Sequence, residues 1–368
     1  MKIRQIKSVI WILVIVLSSC SVQNINKTNT QEKRVKNIIL FIGDGMGTAH
    51  VTAGMSVNSV PLSLESFPYS GFSKTFSSNN YVTDSGAGGT AIACGVKTKN
   101  GMIGMTPDSV AVPSIIEIAH KNGLATGVLS TSSVTHATPA SFVAHNSGRG
   151  NYEDIAKDFL NGTVDVFIGG GEDHFRSRAD STDLTVALKE QGFDIVYNIN
   201  DLKNSNSRKI AGLLAKEHMP KASEGRMGML AEMTRKAIET LSKDKDGFFM
   251  MVEGSMIDWS AHEKDFFNTV QEVIDLDKAV AVAKEFADNN GETLVIVTAD
   301  HETGGLSLIG GNLQTKQVTS NFITTGSHTG VLVPIFSYGK SAERFSGIHD
   351  NTFFFGEFLQ LLNLQKSK

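Results

Sequence analysis

The stretch NIILFIGDGMG, residues 37–47, decides the fold. Residues 38–42 are all apolar, with no polar residue at alternate positions, so a strand here must be covered on both of its faces. The run stops at Gly43 and Asp44, and a helix-like segment follows. The same plan recurs in ATGVLSTSS (125–133), VDVFIGGGED (164–173), GFFMMVEGS (247–255), TLVIVTADHE (293–302) and VLVPIFSYG (331–339). Short apolar runs separated by helical stretches predict an α/β domain over residues 37–364, with a mostly parallel central sheet and helices on both faces. Residues 305–328 read as a small inserted hairpin or loop set between the last two strands. Residues 180–223, polar and weakly periodic, read as peripheral excursions and helices.

The flanks differ in character. Lys2, Arg4 and Lys7 precede an apolar segment, residues 9–17, that is too short for a permanent membrane helix, and LSSC follows at 17–20. This resembles a bacterial lipoprotein signal ending at Cys20, with an ordinary secretory signal cleaved near Ser19 as the other reading. Either reading takes the protein out of the cytoplasm, to the periplasm or cell envelope, and the membrane is then a partner only through an N-terminal lipid. Residues 21–36 are polar and read as a tether.

The 368 residues are 40% hydrophobic and 20% charged, which is globular composition and disfavours disorder or coiled coil. Formal net charge is −4 and no basic run occurs, which argues against a nucleic-acid partner. Beyond Cys20 only Cys94 remains, so no intrachain disulfide framework is expected.

Ligands of parallel sheets bind beyond the carboxyl ends of the strands, which directs attention to the residues closing each run. Asp44, Thr135, His136, Thr138, Glu253, Asp258, Asp300 and His301 all stand at such ends, and His328 precedes the last strand. Asp44 alone would serve as a turn former, and Asp258 with His262, spaced i,i+4, would suit a surface ion pair as well as a metal. Together these carboxylates and imidazoles are good ligands for zinc, and too many at strand ends to be solvated surface groups. Thr138 before Pro139 also fits a helix N-cap with proline at N1. Arg149, in the glycine-flanked NSGRG, has the planar fork that suits phosphate. In YVTDSGAGGTAIACG (81–95), YVT reads as a short strand and Ser85 as the start of a helix, where free N–H groups favour an alkoxide or a bound phosphate. The stretch lacks both the Gly-Lys-Ser/Thr of a Walker loop and the Gly-x-Ser-x-Gly elbow of α/β-hydrolases.

With these residues assembled, the chain resembles the alkaline phosphatase family. The resemblance is carried, in the family's order, by NIILFIGDGMG, YVTDSGAGGTAIACGVKTKNGMIG, THATPASFVAHNSGR, VEGSMIDWSAH, TADHETGG and GSHTG. It implies an exported phosphomonoesterase with Ser85 as nucleophile and a phosphoserine intermediate. Asp258, His262 and His328 would hold one zinc, and Asp44, Asp300 and His301 a second. Asp44 would bridge to a third ion, usually magnesium, completed by Thr138 and Glu253. Arg149 would bind phosphate oxygens, with Asp84 steering its guanidinium. Small phosphomonoesters are the implied substrates, inorganic phosphate the inhibiting product, and a homodimer the implied assembly. The best-known bacterial members carry aspartate and lysine where this chain has His136 and Trp259. His136 opens the third site to zinc, and Trp259 removes a cation that would hold phosphate, so product binding is expected to be weaker.

Two other readings have specific expectations. A related phosphodiesterase or sulfatase would show a threonine nucleophile or a Cys/Ser-x-Pro-x-Arg signature, and DSGAGGT has neither. A non-catalytic phosphate- or metal-binding lipoprotein would be missing a ligand, and none is missing.

Overall fold

The structure is a computed structural model that describes residues 34–324 and 326–365. The signal segment, Cys20 and most of the tether lie outside those residues. The packed chain starts two residues earlier than the sequence pattern suggested: Val35 is buried, and the Lys36 amide donates to the Glu292 carbonyl at 2.9 Å.

In chain order the strands are β1 (Asn37–Gly43), β2 (Tyr69–Lys74), β3 (Ala125–Ser133), β4 (Val166–Gly170), β5 (Asp194–Val196), β6 (Ile210–Leu213), β7 (Phe248–Gly254) and β8 (Thr293–Thr298). They continue with β9 (Glu302–Thr303), β10 (Leu306–Asn312), β11 (Gln317–Phe322), β12 (His328–Thr329), β13 (Val333–Gly339) and β14 (Gly347–Asp350). Ten of them form one sheet in the order β14-β2-β13-β8-β1-β7-β3-β4-β6-β5. All pairings in it are parallel except those of β13 with β2 and β8.

β1 shows why its residues are apolar throughout. Ile38, Leu40 and Ile42 enter one core cluster, with residues of the helices Ser85–Cys94, Ile115–Lys121 and Phe353–Leu361. Ile39 and Phe41 point the other way, into a second cluster with the helices Met229–Leu241 and Phe266–Asn290. Each side chain alternates face, and both faces are dry. On the second face Arg226, fully buried, pairs with Glu272 and Asp275 of the long helix and holds down the segment that carries His218.

Four sequence expectations need correction. Residues 180–223 contribute β5 and β6 to the sheet; these strands are three and four residues long, too short for a polar neighbourhood to reveal. β2 and β14 also went unread, because β2 alternates exposed and buried residues and β14 is a four-residue edge strand. Residues 81–83 form no strand: their backbone is held by asparagine side chains, Val82 N–H donating to Asn80 and Asn100 Nδ2 donating to the Val82 carbonyl. Thr138 is not an N-cap; His136 occupies that position of the helix Ala137–Ala140, and Thr138 lies inside it. The hairpin expectation agrees with the structure, since β10 and β11 pair antiparallel and leave Ile309 and Leu313 exposed. Among the described residues no helix is long and apolar enough to cross a membrane.

Candidate active site

The centre of the sheet assembles the site. β8, β1, β7 and β3 are adjacent and parallel, and their registers align Ile42 with both Glu253 and Thr298, and Ser130 with Glu253. Their carboxyl ends are therefore flush, and the residues just beyond them, Asp44, Asp258, Asp300, His301 and His136, share one edge. Gly45 follows Asp44 at φ +70, where a Cβ would lie 2.6 Å from Thr303 Oγ1 and 3.0 Å from the Asp258 Cα. Only glycine allows this turn and this approach.

Ser85 begins the helix Ser85–Cys94, capped by Asp84, whose Oδ1 accepts from the Ala87 amide at 3.0 Å. The glycines behind it bring the helix close to β8: a Cβ on Gly88 would lie 3.0 Å from the Asp300 carbonyl oxygen. Ser85 Oγ is buried, 3.2 Å from His301 Nε2 and 3.5 Å from Asp44 Oδ1. Asp84 Oδ2 accepts from Arg149 Nη1 at 2.8 Å and from the Gly101 amide at 2.9 Å, so one carboxylate links the helix cap to the guanidinium. Burial works against the Arg149 charge, but the Asp84 carboxylate outweighs it and raises the pKa above the ordinary arginine value.

Three groups of potential ligand atoms converge: Asp258 with His262 and His328, Asp44 with Asp258 and His301, and Asp44 with His136 and Glu253, the atoms of each lying within 4.8 Å of one another. In the first, His262 Nε2 and His328 Nε2 lie 3.1 Å apart and both face Asp258 Oδ1, at 3.3 and 3.5 Å. Their other nitrogens donate to carbonyls, His262 Nδ1 to Gly326 at 2.5 Å and His328 Nδ1 to Thr83 at 2.8 Å. Carbonyls accept only, so Nδ1 carries a proton in each ring and Nε2 is the nitrogen turned inward. In the second group His301 Nε2 is 3.3 Å from Asp44 Oδ1 and 3.4 Å from Asp300 Oδ2. Asp258 belongs to both groups, whereas the family resemblance implied a place for it in the first alone. In the third, Ser130 and Ser255 donate to Glu253 Oε2, leaving Oε1 without a partner.

A cation fits here on two observations. Asp44 Oδ2, Asp300 Oδ2, Glu253 Oε1, Thr138 Oγ1 and His136 Nδ1 are all buried and make no hydrogen bond. The site is also overcharged: burial and the Asp300, Asp258 and Glu253 carboxylates hold Asp44 well above the usual carboxylate range. Burial and Asp258 push Asp300 up to about 7. Burial, then His328, holds His301 well below the ordinary imidazole value, and burial, then Arg149, pushes His136 down to about 3. Crowded carboxylates beside neutral imidazoles are an environment that divalent cations relieve. Metal uptake would displace protons from the carboxylates.

Beside the third group stands a ring cluster that sequence reading did not anticipate beyond His136 and Trp259. His136 Nε2 is 3.5 Å from Arg149 Nη2, and its ring meets Trp259 and His218 edge-on at 5.7 and 5.8 Å. His218 packs on Trp259 at 4.3 Å and accepts from the Ser133 amide, while Tyr152 stacks on His174. The one sequence signal was the run of serines and threonines, 130–133, ending an otherwise apolar strand.

The loop carrying Arg149 is held by His145, whose Nδ1 donates to the Gly104 carbonyl at 2.7 Å and whose Nε2 donates to Glu117 Oε1 at 3.1 Å. Both partners can accept, so this geometry favours the imidazolium form. The hydrogen bond to Glu117 raises the His145 pKa against burial, and Asp158 adds to it. The Glu117 pKa is lowered despite burial, by hydrogen bonds from His145 and Ser114. By linkage, the His145 contribution is complete below its unfolded value of 6.5 and disappears as pH rises through the raised folded value. That of Glu117 is present above 4.5 and lost as pH falls through its lowered value. His145→Gln is therefore expected to lower the melting temperature more at pH 5.5 than at pH 9; an equal loss at both, by calorimetry, contradicts the imidazolium.

Comparison with known proteins places this geometry in context. A family profile described as alkaline phosphatase matches residues 35–322. Alkaline phosphatase 4 of Bacillus subtilis (strain 168) is 36% identical over 313 residues, covering 80% of this chain and 68% of that protein. Alkaline phosphatase of Escherichia coli (strain K12) is 32% identical over 404 residues, covering 89% and 86%. The solved alkaline phosphatase from the Antarctic bacterium TAB5 superposes with a TM-score of 0.86 at 41% identity, covering 91% of this chain and 100% of that one. A histidine-to-aspartate variant of that neighbour, equally similar in fold, has Mg bound in its M3 site.

Proposed function

Since the chain belongs to the alkaline phosphatase family, we propose that it hydrolyses phosphate monoesters to alcohol and inorganic phosphate through a phosphoserine on Ser85, with two zinc ions and a third ion, magnesium or zinc. The observation that carries this reading is the position of Ser85 Oγ. It lies at a helix N-terminus against Asp44 and His301, and the neighbouring Asp84 grips Arg149.

Asp258, His262 and His328 would hold one zinc, Asp44, Asp300 and His301 the other, and Asp44, Glu253 and Thr138, with His136 beside them, the third ion. When bound, the zinc ions lower the pKa of the serine hydroxyl and neutralise the oxygen of the leaving alcohol. Arg149 orients the phosphoryl group through two oxygens, its fork aimed by Asp84. Ser85 Oγ forms the bond to phosphorus as the ester oxygen departs in line, and water then displaces Ser85 from the opposite direction. The amides of the first helical turn add positive potential at the reacting oxygen. The magnesium-bearing histidine-to-aspartate variant of the Antarctic neighbour supports reading His136 as the residue that tunes the third site.

The decisive experiment compares hydrolysis of p-nitrophenyl phosphate with that of its bis-ester and of the sulfate analogue, with and without chelator, at alkaline pH. Preference for the diester or sulfate, or indifference to chelation, would sink the assignment. Trp259 gives phosphate no cation, so Trp259→Lys is expected to lower the inhibition constant for inorganic phosphate; an unchanged constant would contradict that role.

Export to the periplasm or envelope, with a lipid on Cys20 and residues 21–36 as tether, is supported by the basic and apolar pattern preceding Cys20. Mass spectrometry of the mature N-terminus tests it: a retained, unprocessed Met1 would refute export by this route. The homodimer rests on family membership alone and is read by sedimentation.

A further inference from the structure

The segment 326–330 carries His328 to the metal groups from outside the large sheet. Its seating combines backbone and side-chain bonds. β12 pairs antiparallel with β9, His328 opposite Thr303 and Thr329 opposite Glu302, and the Gly304 amide donates to the Ser327 carbonyl at 2.9 Å. Two further bonds use the rings of the metal group itself, His262 to the Gly326 carbonyl and His328 to the Thr83 carbonyl. Those rings cannot hold the segment in place independently of the site they build. The Thr329 hydroxyl provides a tie of another kind: it donates to Glu302 Oε2.

Glu302 is built into the fold as a hub. It is 4% exposed, and its Oε2 also accepts from the Gly305 amide at 3.2 Å while Oε1 accepts from the Leu306 amide at 3.1 Å. These amides form the tight glycine turn from which the β10–β11 hairpin leaves. Behind the carboxylate His50 is fully buried with its Nδ1 3.9 Å away, and a Cβ on Gly47 would lie 2.3 Å from Glu302 Cγ. The sequence neighbours of Glu302 are His301 and Thr303, whose hydroxyl donates to Asp258.

We infer that Glu302 is a positioning residue for the Asp258–His262–His328 group: through Thr329 it holds segment 326–330 so that His328 Nε2 already faces Asp258 and His262 before a cation arrives. The inference rests on the metal-dependent reading above. Partners that orient a metal ligand are commonly worth ten- to a hundredfold in affinity, because without them the ligand must be ordered at the moment of binding.

The test is the time course of zinc release from the loaded protein to a chromophoric chelator, in wild type, Thr329→Val, Thr329→Ser and Glu302→Ala. Valine keeps the β-branched shape and removes the hydroxyl, so Thr329→Val is expected to release one zinc about tenfold faster, with the remaining zinc unaffected. Serine restores the donor, and Thr329→Ser is expected to stay within about twofold of wild type. Glu302→Ala should match or exceed the valine variant; where it fails to fold, the threonine pair alone decides. Release at the wild-type rate from Thr329→Val, equal acceleration of every zinc, or failure of serine to rescue each overturns the inference. A wild-type protein that takes up no zinc at all would instead overturn the metal-dependent reading, so the two failures are distinct.

Discussion

Ser85→Ala is expected to reduce kcat for p-nitrophenyl phosphate by at least about 10³-fold, with zinc content and melting temperature close to wild type. The size follows from the proposed role, in which the Ser85 hydroxyl oxygen forms the bond to phosphorus. The lack of structural cost follows from the fold. Ser85 is the first residue of its helix, where alanine is well tolerated, and its Oγ hydrogen-bonds to Asp44 and His301, which would bind metal in the proposed enzyme. The helix cap is untouched, because Asp84 supplies it. Acid quenching after brief exposure to labelled phosphate provides the second readout. Label should remain covalently on the wild-type chain and be missing from the variant. Activity within tenfold of wild type, or label retained without Ser85, would remove it as nucleophile.

Asp44→Asn is expected to abolish activity to a similar degree by a different route. Asp44 belongs to two of the three potential ligand groups, so in the proposed enzyme its charge would serve two ions at once. The amide keeps the shape of the carboxylate, and its loss of charge weakens both centres. Metal analysis after dialysis should therefore show less than the wild-type complement, in contrast to Ser85→Ala. The metal-free proteins should rank the other way. Burial and three neighbouring carboxylates oppose ionisation of Asp44, so the wild-type apoprotein either carries repelling charges or holds a proton there. Asparagine is neutral at every pH, and metal-free Asp44→Asn is expected to melt no lower than metal-free wild type at pH 8. A full metal complement with normal activity would show that Asp44 does not bridge the centres. A sharply lower apoprotein melting temperature would show that its charge is structural.

These two residues also mark what could be read early. Asp44 closes the first apolar run and Ser85 starts a glycine-rich helix, both local patterns. The six long apolar runs all became strands, because a segment buried on both faces declares itself by composition alone. β5, β6, β2 and β14 did not, since a short or half-exposed strand is recognised by its neighbours and not by its own residues. Thr138 shows a further limit. Thr-Pro suits a helix start, yet the N-cap falls two residues earlier, at His136, and Thr138 lies buried inside the helix.

Sequence by itself determined the layered α/β domain, the order of its motifs and the set of candidate metal and phosphate ligands, because each depends on residue type and near-neighbour spacing. Tertiary structure alone decided how that set is divided. Asp258 faces two groups, Asp44 is shared, and Asp84 grips a guanidinium 65 positions away. It also decided which ring nitrogens point inward, since the carbonyl that orients His328 belongs to Thr83, 245 residues earlier. A hydrogen bond or a shared cation acts over a few ångströms of space, and only the packed sheet brings such distant residues within that reach.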